Sequence, residues 1–189
     1  MSGGDCWTNL EFASCQLHVE WMSHPATKGN SQKKGNAGVF FMDRYESQML
    51  DCDNNPTYAD GMTGAVYGQT PPLVNAVRKA GEWQVYDIVF TAPKLKDGKV
   101  VEPARFTTFV NGVCVQHNTA IMGPTQHKKT TDYSGDLVAT GSLEALDLAV
   151  KKLDPANRGT FPEKAPFRFQ DHKNEPPVRL RNIWVRPLP

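Results

Sequence analysis

Arg105–Val110 and Val113–Gln116 are alternating apolar runs separated only by Asn111-Gly112. An Asn-Gly pair in that setting dictates a two-residue hairpin, because a type I′ turn needs positive φ at both central residues. Asp97-Gly98, inside the charged segment Lys94–Lys99, marks a second tight turn. Gln16–Met22 alternates cleanly, with Leu17, Val19 and Trp21 on one face and Gln16, His18 and Glu20 on the other. Ala37–Met42 reads as a short buried strand, Gly81–Ala92 as a strand dense in β-formers, and Pro166–Gln170 and Val178–Val185 as closing strands. In Val178–Val185 the apolar phase slips at Arg181-Asn182, which predicts a bulge there. Short strands and turn signals, supported by 15 Gly and 14 Pro, predict one all-β domain over 1–189, a sandwich or jelly roll. One helix is expected within it, over Ser142–Leu153. There Leu143, Leu146, Val150 and Leu153 recur at helical spacing behind a capping Ser142, and Asp154-Pro155 ends the run.

Arg44–Leu50 is the strand with chemistry on it. Period-2 alternation puts Arg44, Glu46 and Gln48 on one face, and Tyr45, Ser47 and Met49 on the other. Such a face is either solvent-exposed or lines a polar cleft. Asp51 joins it only if a bulge shifts the phase. Asp53–Pro72 is crowded with turn signals and reads as a long loop, placing Tyr58, Tyr67 and Gln69 close in sequence to Glu46.

Composition excludes some partners. A net charge of +1 gives no electrostatic case for nucleic acid or an anionic membrane. No apolar run approaches the roughly 20 residues of a bilayer span. Cys6, Cys15, Cys52 and Cys114 form no C-x-x-C pair, so a structural zinc site is not expected; buried free thiols are the simpler reading, with one unassigned disulfide among the four as the open alternative. Trp7, Trp21, Trp83 and Trp184 can stack on sugar rings, but their strand patterns place most of them in the core.

Several segments together resemble one family. Gly35–Asp51, GNAGVFFMDRYESQMLD, is followed by GAVYG with PP, GEWQVYDI, the hairpin VNGVCVQ, FRFQDH and VRLRNIWVRPL. That order is similar to the 3-keto-disaccharide hydrolase domain, from about Gly4 to Leu188. The resemblance implies a concanavalin A-like jelly roll with a concave sugar-binding groove. It also implies substrates that are glycosides oxidised to a ketone at C3, and export from the cell. The family's usual opening strand, resembling Leu-Phe-Asp-Gly-Lys-x-Leu-x-x-Trp, is expected to be missing here, and the 130–165 connection is longer than usual.

Under that resemblance Glu46, Asp51 and His172 are the expected catalytic groups. Arg44, Gln48, Tyr67, His127, Gln170 and Arg181 are the expected substrate-binding ones. Asp51 would be the second carboxylate of a hydrolytic pair. A keto sugar permits another route, since the ketone acidifies the C2 proton and a single base can eliminate the C1 substituent before water adds. The sequence identifies no cofactor. A divalent metal held by Glu46, Asp171 and the loop histidines is an open alternative, although no spacing is diagnostic. So is a non-catalytic, lectin-like module with the same groove.

Overall fold

The computed structural model describes residues 4–126, 129–130, 161–174 and 176–189. The expected helix over 142–153 and His127 lie outside them. In chain order the strands are β1 (Cys6–Phe12), β2 (Cys15–Met22), β3 (Ala37–Phe41), β4 (Tyr45–Met49), β5 (Gln84–Thr91), β6 (Lys94–Lys96) and β7 (Lys99–Glu102). They continue with β8 (Arg105–Val110), β9 (Val113–Ala120), β10 (Thr125–Gln126), β11 (Lys129–Thr130), β12 (Ala165–Asp171) and β13 (Arg179–Pro187). The only helical pieces among the described residues are two 3-10 turns, Ser31–Lys33 and Ala59–Gly61.

Two antiparallel sheets make the sandwich. One runs β1-β12-β3-β4 and the other β13-β2-β5-β8-β9, with small ribbons β6-β7 and β10-β11 beside them. The turn chemistry behaves as the sequence dictates. Asn111 and Gly112 take φ of 51° and 83°, and Asp97 and Gly98 take 53° and 74°. The β13–β2 register shifts between Arg181 and Trp184, where Asn182 has φ 47°, so the bulge sits where the apolar phase slipped. Strand β1 had no clear signal in the sequence.

The core is what the alternation encodes. Leu17, Val19 and Trp21 of β2, Tyr86, Ile88 and Phe90 of β5, and Phe106 and Val110 of β8 face Val39, Phe41, Tyr45, Met49, Phe167 and Phe169 of the smaller sheet. Phe41 packs its ring 4.9–5.0 Å from those of Phe90, Phe106 and Phe167, so three strands from two sheets meet on one side chain. Cys15 is fully buried there, and all four cysteines are free thiols. The tryptophans depart from expectation. Only Trp21 is core, whereas Trp7 and Trp184 are 53% and 43% exposed on edge strands. No helix among the described residues is long and apolar enough to cross a membrane.

Candidate functional site

The polar face of β4 is neither solvent-exposed nor core. Glu46 and Gln48 are 4% and 1% exposed, yet they point away from the apolar interior occupied by Tyr45, Ser47 and Met49. Register explains what lies beside them. Across the smaller sheet Arg168 pairs with Phe40, and Phe40 with Glu46. One rung further on, Gln170 pairs with Gly38, and Gly38 with Gln48. Directly opposed residues share a face, so these two rungs tile the outer surface of the sheet. They floor a cavity of about 220 Å³ that Asn36, Tyr67, Thr125 and His172 complete.

Gly38 shapes that floor. An added Cβ would lie 2.4 Å from Oε1 of Glu46, so the missing side chain is the space into which the carboxyl leans. Burial pushes the Glu46 carboxyl up to about 8, opposed by the Arg168 guanidinium and reinforced by Asp5. Arg168 is held from three sides. Its Cζ lies 3.6 Å above the centre of the Phe40 ring, Nη1 donates to Asp5 at 2.8 Å, and Nε donates to Asp43.

The loop after β4 walls the other side. Gln48 N donates to Ala65 O, Gly64 N to Gln48 O, and Tyr67 N to Glu46 O, at 3.0–3.2 Å. The outer edge of β4 is therefore paired, and Tyr67 is fixed beside Glu46. The Tyr67 hydroxyl shares a 2.6 Å hydrogen bond with Tyr58, and burial raises its pKa. On the far side Thr125 Oγ1 accepts from Glu46 N at 3.0 Å. From the opposite sheet, Tyr86 accepts from Gly64 N at 2.7 Å and donates its hydroxyl hydrogen to Gln48 O, anchoring β4 through the core.

Two amides in the wall are half-used. Gln48 Nε2 donates to Gln32 Oε1 at 2.8 Å, and Asn36 Nδ2 to Gln32 O at 2.9 Å. Those acceptors fix which end of each amide is nitrogen. Gln48 Oε1 and Asn36 Oδ1 are then left buried with no hydrogen-bond partner among the described residues.

Of the residues expected from sequence, Glu46, Gln48, Tyr67, Gln170 and His172 meet at this cavity. Three do not. Arg44 falls in the turn before β4 and lies over the Phe161 ring, 5.0 Å from its centre. Asp51 follows a β3–β4 ladder that runs without a register shift, so no bulge brings it onto the Glu46 face. Its Oδ2 instead sits 3.0 Å from Lys34 Nζ, and its Oδ1 accepts from Asp53 N at 3.1 Å. Arg181 belongs to the other sheet, where it pairs with Glu20 at 2.7 Å and covers Trp83. The hydrolytic pair of Glu46 with Asp51 is therefore not formed. Sequence reasoning missed Arg168, although FRFQD alternates Phe167 and Phe169 with Arg168 and Gln170, the same two-faced signal as β4.

Among the described residues no three His, Cys, Asp or Glu side chains converge closely enough to hold a metal ion. Glu46 and His172 share the cavity, but Asp171 turns away to accept from the Gly4 and Lys173 amides. The donor set expected for a divalent metal is thus not assembled from Glu46, Asp171 and His172.

Comparison with known proteins agrees with this architecture. Residues 1–186 match the family model of the 3-keto-alpha-glucoside-1,2-lyase-like domain. A solved structure of a candidate glycosyl hydrolase from Parabacteroides distasonis ATCC 8503 is 37% identical, covering 98% of this chain and 68% of its own, with a TM-score of 0.76. A second candidate glycosyl hydrolase from that organism shares the fold at 17% identity and a TM-score of 0.60, over 98% of this chain and 74% of its own. No curated protein matches the chain.

Proposed function

The chain belongs to the carbohydrate-active family of 3-keto-alpha-glucoside-1,2-lyase-like domains, and on that premise we propose that it cleaves 3-keto-glycosides in the cavity over β3, β4 and β12. The sandwich is read as a concanavalin A-like jelly roll, a single domain over 1–189, with this cavity as its sugar-binding groove. The observation that carries the reading is Glu46: a buried carboxyl with its pKa lifted to about 8, leaning over the gap at Gly38 and facing the Arg168 guanidinium. A carboxylate with such a pKa is a far stronger base than an ordinary one and is still available near neutral pH.

The reaction we assign is elimination followed by hydration. Glu46 takes the proton from C2, which the C3 ketone acidifies. The C2–H electron pair forms the C1=C2 double bond, and the C1–O bond breaks with its pair going to the aglycone oxygen. That oxygen takes a proton from an acid at the cavity rim, where His172 and Tyr67 stand. Arg168 stabilises the negative charge that develops on the ketone oxygen. Water then adds to C1 and gives up one of its protons to restore the rim acid, while the C1=C2 electron pair returns to C2 and takes the proton held by Glu46. Asn36 Oδ1 and Gln48 Oε1 suit a polyhydroxylated ligand, because each is an acceptor in need of a donor.

Glu46→Gln tests the assignment. It keeps the shape of the site and removes the base. Binding of a 3-keto-glycoside without release of the aglycone supports the reading. Release at the wild-type rate defeats it. A wild-type protein that binds sugars but turns over no 3-keto-glycoside would be a lectin-like module instead.

A further inference from the structure

The row that carries Glu46 does not end at Arg168. Strand β1 pairs with β12 so that Trp7 stands directly opposite Arg168, giving the continuous rung Trp7–Arg168–Phe40–Glu46. All four residues therefore share the outer face of the sheet. With strands about 4.8 Å apart, Trp7 lies about 14 Å along the rung from Glu46, beyond the width of a single sugar ring held there. The β4 end of the rung is blocked by Tyr67 and the segment bonded to the edge of β4. Trp7 is 53% exposed although it sits on a strand whose partner Arg168 is largely covered, and the core of the sandwich does not use it.

We propose that Trp7 is the stacking platform of a second sugar subsite, which holds the leaving sugar of a 3-keto-disaccharide while the oxidised ring occupies the cavity at Glu46. This rests on the functional reading above and adds the residue that reads the leaving sugar, which no part of the cavity at Glu46 supplies. An indole face is apolar and electron-rich, and matches the C–H-lined face of a pyranose. Arg168, held over the Phe40 ring, stands between the two positions along the rung. Trp7 is thus a specificity-determining residue with no part in the chemistry.

The experiment compares the wild type, Trp7→Ala and Trp7→Phe on a 3-keto-disaccharide and on methyl 3-keto-glucoside. Trp7→Ala should raise KM for the disaccharide by about tenfold with kcat unchanged, and leave both constants for the methyl glycoside as they were. Trp7→Phe should recover most of the loss. Equal effects on the two substrates, or none on either, overturn the platform. If the wild type turns over neither substrate, it is the functional reading that fails, and Trp7 is judged by fluorescence. Quenching on titration with the disaccharide in the wild type, and its loss in Trp7→Phe, supports the subsite. No quenching, or the same quenching in both proteins, rejects it.

Discussion

The α-carbon of Gly38 and the carboxyl of Glu46 occupy adjoining space: a methyl group on Gly38 would stand 2.4 Å from Oε1 and 3.1 Å from Cδ and Cγ. Gly38 has no positive φ to explain it; close approach does. Gly38→Ala should therefore push the Glu46 carboxyl out of place while β3 keeps its backbone. A misplacement of about 1 Å at a reacting group costs about 100-fold in rate. We expect a loss of that order in kcat on a 3-keto-glycoside, with a melting temperature close to wild type. A variant as active as wild type would show that the carboxyl position does not matter to the reaction.

Glu46 also makes stability depend on pH. Its carboxyl titrates near 4.5 when unfolded and near 8 when folded, so between those values the folded protein binds more protons. Stability is then fully present below about pH 4.5 and is lost as pH rises through 8, by on the order of a few kcal/mol. Glu46→Gln should flatten that fall, and should be the more stable protein at pH 9. Its turnover should drop by about 10²–10⁴. Melting curves at pH 5, 7 and 9 for both proteins check the first expectation, and steady-state rates check the second.

The parts of this fold that were legible in the sequence are those set by local chemistry. Asn111-Gly112 specified its turn, the phase slip at Arg181-Asn182 specified its bulge, and Leu17, Val19 and Trp21 specified the core face of β2. Glu46 and Gln48 were legible for the same reason, as the polar half of an alternating strand. What alternation cannot give is which strand becomes the neighbour. The pairing of β12 with β3 joins residues more than a hundred positions apart, and it alone makes Arg168 a partner of Glu46. Asp51 shows the converse. It is five residues from Glu46 in sequence, and one odd step in an unbulged strand sends it to Lys34.

Asp51 should accordingly behave as a structural residue. Its carboxylate is buried and faces Lys34 Nζ at 3.0 Å. Asp51→Asn removes that charge and should cost about 2 kcal/mol of stability, read as a fall in melting temperature. The turnover of a 3-keto-glycoside and its pH profile should stay as in the wild type. A changed profile with unchanged stability would return Asp51 to the chemistry.

Arg168 should act on the reaction through the charge it places beside Glu46. The guanidinium holds the Glu46 pKa below where burial and Asp5 alone would set it. Arg168→Gln removes that restraint and also frees the Asp5 and Asp43 carboxylates it now pairs, so both changes move the Glu46 pKa upward. If Glu46 is the base, kcat/KM rises with pH as its carboxylate forms, with a midpoint near 8 in the wild type. In Arg168→Gln that midpoint should move up by about one unit. The rate at pH 7 should fall further than the shift alone accounts for, since the ketone loses its electrophilic partner as well. Arg168→Lys should keep part of the charge effect but lose the guanidinium's contact with the Phe40 ring and the forked hydrogen bonds. It should therefore restore the midpoint more fully than the rate. A pH–rate profile with the same midpoint in all three proteins would mean that the group titrating in catalysis is not Glu46.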